Sequence, residues 1–354
     1  MILTPALNQP ISSNRGDFEY QTQILPGVSR TFAITIPVLP DPLSVVVANA
    51  YLLCRLADTI EDDVALDQDQ KSEFHQLLIS VVEGNYDANI FARQLSPLLS
   101  LEILPDERNL VENTARIVRV THSFSAREQE ALTRCIRVMC SGMSQFQRNK
   151  SLTGFKDMGQ LQEYCYVVAG VVGEMLTELF CVYCADLEKK RDKMMKLAVS
   201  FGQALQMTNI LKDMWDDRQR GACWLPRSIF FGGSLEFDKL DQFRDTQAFR
   251  DGMEELIRVA YRHMQQGLEY TCEIPTQEVG MRRFCSWALG LAVLTLQKIH
   301  ANPTYTSASQ VKISRKAVKA TVFTTNLFIG NNRVLRLLFN LSAARLPLVD
   351  RDVD

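Results

Sequence analysis

Apolar residues recur every three or four positions through most of the chain, with polar residues on the opposite side of each stretch. This spacing is typical of amphipathic α-helices. Alternating strand patterns, Asn-Gly hairpin turns and glycine-rich phosphate loops are absent from the sequence. The pattern predicts an all-α protein, a single large domain over residues 1–354. The predicted helices span residues 42–60, 67–83, 107–122, 126–149, 157–174, 189–217, 243–270, 278–300 and 331–340.

The two ends of the chain depart from this pattern. Residues 1–26 are polar and punctuated by prolines, which predicts an irregular N-terminal segment. Residues 301–354 form a C-terminal segment that contains the basic run VKISRK at 311–316, at an expected loop-to-helix junction. Near the start, Asp41 and Pro42 predict where the first long helix begins, with Asp41 as its cap.

Composition and charge narrow the classes of function. Of the 354 residues, 46% are hydrophobic and 23% are charged, which is ordinary for a globular protein with a sizeable core. The net charge of −2 provides no general basic field, so we expect no nucleic-acid partner. The nine cysteines lack paired zinc spacing. We expect them to be reduced thiols, packed as small apolar groups in an intracellular, cytoplasmic protein.

Two stretches are apolar enough to raise the question of a membrane span. Residues 165–185 contain Glu174 and Glu178, and residues 284–296 reach only about two thirds of the roughly 20 residues that a span needs. We expect neither to cross a membrane. Long apolar helices can instead enclose an apolar cavity or touch a membrane surface. Without a leader at the start or an apolar anchor in residues 341–354, we expect membrane contact to be peripheral at most.

The first candidate site is an acidic cluster where the opening apolar helix ends, in YLLCRLADTIEDD at 51–63. Asp58 and Asp62 are four residues apart, so in a helix they emerge on one face about one turn from each other. Like charges at this spacing repel by roughly a few tenths of a kcal/mol. A divalent cation that bridges both carboxylates would offset that cost. A solvated acidic helix end is the alternative.

A second acidic cluster lies well downstream, in GQALQMTNILKDMWDD at 202–217. Asn209, Asp213 and Asp217 are spaced every four residues. Gln206 precedes them by one turn, so all four side chains can line one helix face. The other positions are mostly apolar and must pack, which places the polar face toward an interior or a cleft. The two acidic helix ends can then face each other across a bundle.

The chemistry that two facing carboxylate clusters suit best is binding of Mg²⁺, which takes oxygen ligands, keeps several waters and bridges to substrate phosphates. A diphosphate held by such ions becomes a good leaving group. An apolar helical barrel beneath it would hold a hydrocarbon tail and shield a carbocation from water. The residues therefore predict metal-assisted ionisation of a prenyl diphosphate.

Four ordered segments resemble the squalene/phytoene synthase family of head-to-head prenyltransferases, over roughly residues 25–300. They are SRTFA at 29–33, YLLCRLADTIEDD at 51–63, YCYVVAGVVGE at 164–174 and GQALQMTNILKDMWDD at 202–217. Terpene cyclases of the same class carry a different second metal motif, whereas this chain repeats DxxxD, which argues against cyclisation. The resemblance implies a helical bundle of the class I isoprenoid synthase type with a central apolar cavity.

The resemblance also implies roles for individual residues. The metal ligands would be Asp58, Asp62, Asn209, Asp213 and Asp217. The catalytic residues would be these aspartates together with Tyr51, Arg55 and Tyr164, the last of which matches a tyrosine that assists the first half-reaction through its hydroxyl or ring face. The substrate-binding residues would be Ser29, Arg30, Tyr51, Arg55, Gln206, Asn209, Lys212 and Arg218. For Tyr51 and Arg55, a purely packing or capping role is the alternative.

Two positions depart from the family pattern. An arginine that is common nine residues after Asp213 is Ala222 here, and Arg218 or Arg220 would have to supply its charge. Lys212 stands where many relatives have arginine. A lysine provides a cation, but it lacks the planar fork that holds a phosphate by two hydrogen bonds.

The family resemblance implies a shared first half-reaction that ends in a cyclopropyl diphosphate. Squalene-forming members then reduce the rearranged cation with hydride from NADPH, whereas phytoene-forming members lose a proton. No Rossmann fingerprint is present. The run VKISRK resembles the basic segment near NADPH in squalene-forming members, so the predicted cofactor-binding residues are Lys312, Arg315 and Lys316. A solvated basic helix start is the alternative.

We therefore expect an enzyme that uses Mg²⁺ and NADPH to make squalene from two molecules of farnesyl diphosphate. One alternative is a non-reductive relative that yields phytoene, dehydrosqualene or a presqualene-type product. Another is a non-catalytic protein that binds prenyl lipids on the same fold. Two intact DxxxD motifs disfavour the binding protein, since it would not need both metal sites.

Overall fold

The computed structural model describes residues 11–29, 31–148, 150–230 and 237–347. In these ranges it confirms the predicted all-α class, and the only strand-like feature there is an isolated bridge between Phe155 and Pro226. The helices are α1 (Ile11–Val28), α2 (Phe32–Thr35), α3 (Leu43–Asp62), α4 (Gln68–Val82), α5 (Ala88–Leu95), α6 (Pro105–Glu112), α7 (Thr114–Thr121), α8 (Ala126–Arg148), α9 (Met158–Cys165), α10 (Val171–Tyr183), α11 (Ala185–Glu188), α12 (Arg191–Gln219), α13 (Gln247–Glu273), α14 (Val279–Ala301), α15 (Arg315–Phe328) and α16 (Asn332–Ala343).

A central bundle positions the polar faces of α3 and α12. Helix α12 packs against α10, α13 and α14, and α8 packs against α3, α4 and α10. The 3₁₀ turn Ile36–Val38 contacts both α3 and α14, so it links these two sides of the bundle. One continuous set of buried apolar residues extends from Tyr20 to Leu346. It includes the stripe on α8 that helical spacing indicates, Leu132, Ile136, Met139 and Met143.

Small residues let α12 lie unusually close to α10 and to the π-helical turn Tyr166–Gly170 that precedes α10. A β-carbon added at Gly173 would lie 2.2 Å from the carbonyl oxygen of Ala198. One added at Gly202 would lie 2.1 Å from the carbonyl oxygen of Ala169. No side chain fits at such separations, so these glycines fix the depth at which α12 enters the bundle.

The N-terminal prediction was wrong for residues 11–26, which form most of α1 instead of an irregular segment. Apolar residues on one side of this helix are buried, among them Ile24 and Val28. Asp17 pairs with two arginines of α7 at 2.9 and 2.7 Å. These contacts with distant helices outweigh the polar local sequence. Residues 1–10 lie outside the described ranges.

Three helix boundaries also differ from the sequence prediction. Helix α3 begins at Leu43, and Asp41 accepts a hydrogen bond from the hydroxyl of Ser44 instead of capping the backbone. Residues 107–122 divide into α6 and α7 at Asn113, where the backbone leaves the helical conformation. The helix predicted over residues 157–174 begins at Met158, passes through the π-helical turn Tyr166–Gly170 and continues to Tyr183, nine residues beyond the predicted end. The remaining predicted helices are confirmed to within a few residues, and α15 begins at the predicted loop-to-helix junction.

In the described part of the chain, three segments are long and apolar enough to cross a membrane by length and composition alone: Leu43–Asp62, Met158–Tyr183 and Val279–Ala301. Of their apolar windows, 72%, 56% and 61% are buried against the rest of the fold. Their apolar character is therefore largely used by the core of the bundle.

The nine cysteines are all free and buried, which confirms that they pack as small apolar groups. Surface pockets of about 530 Å³ beside residues 188–193 and of about 220 Å³ between α14, α15 and α16 lie away from the polar face of α3. The central apolar cavity within the bundle therefore stays a prediction.

Candidate active site

The polar face of α3 is a single row of side chains. Within residues 51–62, the residues that reach solvent are Tyr51, Arg55, Asp58 and Asp62. All the remaining residues of this stretch are buried. Intervals of four, three and four residues keep this row on one side of the helix. The sequence produces the row because the intervening positions are mainly apolar and pack into the core. All four predicted residues of α3 are thereby brought together.

Helix α12 carries a second row of the same kind. Its accessible residues between 206 and 217 are Gln206, Asn209, Lys212, Asp213, Asp216 and Asp217. The buried residues of this stretch are Met207, Thr208, Ile210, Leu211, Met214 and Trp215. The predicted polar face is therefore present, with Asp216 as an addition that the sequence analysis did not single out.

The two rows act on each other electrostatically. Burial raises the pKa of Asp217 to about 6, and the charges of Asp213 and Asp62 add to that rise, the second from the opposite helix. Burial likewise raises the pKa of Asp58 to about 7. The side chain of Asp62 is accessible to solvent, but protein atoms surround it closely enough to reduce the hydration of its carboxylate. This loss of hydration raises the pKa of Asp62. The charge of a carboxylate in one row therefore acts on a carboxylate in the other row, and a cation bound near both would be stabilised.

Glu61 and Glu107 extend the acidic character of the α3 wall, and the sequence analysis missed both. Glu107 of α6 pairs with Arg55, whose guanidinium also lies 3.8 Å from Asp58. Buried Glu61 accepts a hydrogen bond from Gln147 at 2.9 Å. Burial raises the pKa of Glu61 to about 8, with help from a neighbouring aspartate. The sequence did contain a signal for Glu61, which is part of the first acidic motif. It contained none for Glu107, because no local pattern links this residue to the motif.

Tyr164 packs in a group of aromatic rings beside the carboxylates. Its ring stacks on Trp224 with centroids 4.6 Å apart and 10° between planes. Phe146 and Phe155 lie against it at 5.2 and 5.5 Å. Burial raises the pKa of Tyr164 well above its ordinary value, and the charges of carboxylates in both rows contribute. The hydroxyl therefore stays protonated at neutral pH and remains a hydrogen-bond donor close enough to both rows to be affected by their charges.

Tyr51 is held against the end of α1. Its hydroxyl donates a hydrogen bond to the carbonyl oxygen of Val28 at 2.9 Å, and its ring centroid lies 5.1 Å from that of Phe32. The hydroxyl oxygen of Ser29 accepts a hydrogen bond from the backbone N–H of Phe32 at 2.9 Å. Both predicted residues thus also have a structural task at the start of the bundle. The predicted residue Arg30 lies outside the described residues.

The cations near the second row have different surroundings. Arg218 donates hydrogen bonds to three backbone carbonyls at 2.9 to 3.3 Å, so its guanidinium holds neighbouring loops. The charge of Arg220 lowers the pKa of carboxylates in both rows. Lys212 pairs with Asp213 at 3.1 Å. Of the two arginines that stand near Ala222, Arg220 is the one whose charge acts on the site.

Tyr305 is a further residue beside the second row that the sequence analysis missed. It is 1% exposed, and its hydroxyl has no hydrogen-bond partner among the described residues. Burial raises its pKa, and the charges of three carboxylates of α12 raise it further. The turn Ala308–Val311, which follows Tyr305, packs on α12. A buried donor without a partner is costly, so this hydroxyl is available to a bound group.

The basic run at 311–316 follows directly. Lys312, Arg315 and Lys316 are exposed, and the hydroxyl of Ser314 caps α15 by accepting a hydrogen bond from the backbone N–H of Ala317 at 3.1 Å. The run therefore lies at the start of a helix. This position agrees with the alternative interpretation as well, which is a solvated basic helix start without a cofactor. Lys312 directly follows the turn Ala308–Val311, which packs on α12.

Within the described part of the chain, no three Asp, Glu, His or Cys side chains converge closely enough to hold a metal ion by themselves. The rows instead offer carboxylates one turn apart on opposite helices. This arrangement differs from the closed protein cage of structural zinc. It suits an ion such as Mg²⁺, which completes its shell with water and phosphate oxygens.

Comparisons with known proteins agree with this geometry. A family model described as squalene/phytoene synthase matches residues 25–317. The chain is 30% identical to squalene synthase ERG9 of Gibberella zeae over 85% of this chain and 63% of that protein. It is 28% identical to squalene synthase clz20 of Cochliobolus lunatus over 79% of this chain and 65% of that protein. The chain thus spans just under two thirds of the length of these relatives.

A solved structure of similar fold is that of TcSQS in complex with the ligand E5700. It matches with a TM-score of 0.71 at 22% identity and covers 95% of this chain and 93% of that one. The similarity shows a shared helical bundle.

Proposed function

We propose, given that the chain belongs to the squalene/phytoene synthase family, that it is a squalene synthase. It would join two molecules of farnesyl diphosphate head to head through presqualene diphosphate and reduce the product to squalene with NADPH. The observation that carries the proposal is the pair of polar rows on α3 and α12, in which the charge of Asp62 on α3 raises the pKa of Asp217 on α12. The two relatives described above bear the name squalene synthase, which favours this member of the family.

The donor set fits Mg²⁺. The candidate ligands Asp58, Asp62, Asn209, Asp213 and Asp217 all offer oxygen. Burial raises the pKa values of the four aspartates, so their charged forms are poorly hydrated and a bound cation would stabilise them. The partnerless hydroxyl of Tyr305 is a donor at the same place. When bound, Mg²⁺ would neutralise charge on the diphosphate and make it a better leaving group.

Cations on both walls would bind the diphosphate oxygens directly. We assign this role to Arg55 on α3, whose Nε is buried without a hydrogen-bond partner among the described residues. On α12 we assign it to Arg220, in place of the arginine absent at Ala222, with Lys212 beside it. Arg218 would then act indirectly, because its hydrogen bonds fix the loops around the end of α12. Gln206 and Asn209 would complete the polar contacts.

The aromatic residues would handle the proton and the carbocation. Tyr164 keeps its proton because burial and nearby carboxylates raise its pKa, so it can donate a hydrogen bond to an oxygen of the departing diphosphate. Its ring, with those of Trp224 and Phe155, presents π-faces that stabilise a nearby cation and exclude water. Tyr51 and Ser29 would define the opposite end of the substrate site. The family resemblance assigns substrate binding to Arg30 as well.

The basic run would hold NADPH. Lys312, Arg315 and Lys316 are exposed cations that can bind the phosphates of the cofactor. The preceding turn packs on α12, which supports a cofactor site next to the second carboxylate row.

Product analysis tests the proposal. Purified protein is incubated with farnesyl diphosphate and Mg²⁺, with and without NADPH, and the products are identified by mass spectrometry. Squalene that requires NADPH is the expected result. A polyene formed regardless of NADPH would identify a non-reductive relative, and bound farnesyl diphosphate without release of diphosphate would identify a lipid-binding protein.

A variant of the basic run sharpens the test. Lys312→Ala with Lys316→Ala should raise the KM for NADPH about tenfold, because each lost phosphate contact weakens binding. Release of diphosphate in the first half-reaction should stay unchanged. A matched control is Lys189→Ala with Lys190→Ala, which removes two lysines of the loop between α11 and α12. Equal KM values in both double variants would contradict the cofactor assignment.

We also propose that the protein acts in the cytoplasm, with peripheral contact to a membrane at most. The substrate carries an apolar tail and the product is a hydrocarbon, so both partition into lipid.

A further inference from the structure

The C-terminal part of the chain is strongly basic. No acidic residue occurs between Glu278 and Asp350, whereas ten lysines and arginines do. The rest of the sequence has 29 basic residues against 41 acidic ones, an excess of twelve negative charges. Basic charge is therefore concentrated in α14, α15, α16 and the segments that join them.

Exposed apolar residues and cations share two helical rows of this basic region, with the cations at the ends of the rows. The outer rows are Lys319, Phe323 and Leu327 on α15, and Arg333, Leu337, Leu341 and Arg345 on α16 and the turn after it. Successive members are four residues apart, so each row lies on one side of its helix. The four apolar members are 56% to 65% exposed. On the surface of a soluble monomer, large apolar side chains are normally buried or scattered singly among polar ones.

The inner side of the same pair of helices is fixed to the bundle. Arg282 of α14 is fully buried and donates hydrogen bonds to the carbonyl oxygen of Ile329 at 2.7 Å and to the side chain of Asn332 at 2.5 Å. Trp287 donates a hydrogen bond to Asn326 at 3.2 Å. The turn between α15 and α16 is thus held in place, and the outer rows belong to a surface of defined shape.

Within the described ranges, the cations of the outer rows are not engaged in ion pairs. Among the described residues, Lys319, Arg333 and Arg345 have no acidic partner, whereas the neighbouring Arg336 pairs with Glu269 at 2.7 Å. Apolar side chains flanked by unpaired lysine and arginine are typical of helices that lie in the interfacial plane of a bilayer. There the apolar groups enter the headgroup region, and the cations meet lipid phosphates.

We propose that the outer rows of α15 and α16 form a docking surface for a membrane that contains anionic lipid. The acidic remainder of the chain is repelled by such a membrane, so charge alone orients the molecule with α15 and α16 toward the lipid. A second copy of this chain is a poor occupant, because two cationic faces would meet without carboxylates between them. The inference does not depend on the proposed activity, and it leaves out the basic run assigned to NADPH.

Vesicle sedimentation tests the proposal. The full chain is mixed with vesicles of phosphatidylcholine alone, or of equal parts phosphatidylcholine and phosphatidylglycerol, at low and high salt. Binding to the anionic vesicles should be at least tenfold stronger and should weaken with salt, because it depends on exposed charge. Equal binding to both kinds of vesicle would overturn the proposal.

Two variants locate the surface. Lys319→Glu with Arg345→Glu should reduce binding to anionic vesicles about tenfold or more, and Phe323→Ser with Leu341→Ser should reduce it by a similar factor. Matched controls away from the surface are Arg93→Glu, and Leu101→Ser with Leu104→Ser, whose leucines are 99% and 56% exposed. Circular dichroism verifies that each variant folds.

Three outcomes would refute the assignment. Surface variants that bind like their controls would place any membrane contact elsewhere. A second copy would be the occupant if the wild-type protein formed a dimer that did not bind vesicles, and if only the Phe323→Ser, Leu341→Ser variant were monomeric. Absence of vesicle binding by the monomeric wild-type protein would exclude a lipid surface altogether.

Discussion

The polar rows of α3 and α12 share the same spacing but differ in charge balance. On α3, the cation Arg55 is already paired with Glu107, and burial raises the pKa of Asp58 to about 7. On α12, Lys212 pairs with an aspartate of its own row at 3.1 Å, and burial raises the pKa of Asp217 only to about 6. Burial therefore disfavours the charged carboxylate more strongly at Asp58 than at Asp217.

This difference suggests a division of labour between the walls. The α3 wall, with Glu61 and Glu107 behind its aspartates, attracts cations and holds protons in their absence. The α12 wall includes the cation Lys212, and the charge of Arg220 also acts on its carboxylates. Because it combines cations with carboxylates, this wall is suited to contact phosphate oxygens as well as metal. A diphosphate between them would meet metal from both walls, with Arg55 on one side and Lys212 and Arg220 on the other.

The largest expected effect comes from removing one aspartate of either wall. Asp58→Asn and Asp213→Asn should each lower Mg²⁺-dependent release of diphosphate about a thousandfold, because each removes a charge that holds the ion. Release is measured by a phosphate assay after pyrophosphatase treatment. The control is Asp192→Asn, an exposed aspartate in the first turn of the same α12. Wild-type turnover in either site variant would refute its metal role.

A smaller effect should separate the two arginines at the end of α12. Arg220→Gln should raise the KM for farnesyl diphosphate about tenfold with little loss of stability, since one phosphate contact disappears. Arg218→Gln should instead lower the melting temperature, because three backbone carbonyls lose their donor. Kinetics and thermal unfolding of both variants provide the measurement. The reverse pattern would show that Arg218 is the phosphate ligand.

The smallest effect concerns stability, and it should be larger on α3 than on α12. A carboxyl whose pKa is raised in the folded state binds protons more tightly there than in the unfolded chain. The contribution of such a carboxyl to the free energy of unfolding is most favourable below the ordinary pKa of 3.8. It is lost as the pH rises through the folded-state pKa, which is about 7 for Asp58 and about 6 for Asp217. Asp58→Asn and Asp217→Asn avoid that loss.

Without Mg²⁺, Asp58→Asn should therefore exceed the wild type in free energy of unfolding by about 1–2 kcal/mol at pH 8, after allowance for the hydration of a partly accessible group. The advantage should shrink as the pH falls from 7 toward 4. Asp217→Asn should show the same trend with a smaller amplitude. Denaturant unfolding at several pH values measures both, and destabilised variants at pH 8 would contradict the pKa assignments.

Sequence pattern was sufficient for features carried by one helix. The rows on α3 and α12 follow from spacing alone, because neighbouring members lie one turn apart on the same element. Glu107 and Tyr305 reach the site from distant segments, and only tertiary packing brings them there. Helix α1 escaped prediction for the same reason, since its polar side is stabilised by arginines of α7.

The central claim is that α3 and α12 form one site. A double-mutant cycle on Asp62→Asn and Asp217→Asn tests it directly, with Mg²⁺-dependent binding of inorganic diphosphate measured by calorimetry. If both carboxylates act on the same bound ions, the two losses should be strongly non-additive, with a coupling of about 1 kcal/mol or more. Losses that simply add would contradict a shared site and would leave two independent acidic helix ends.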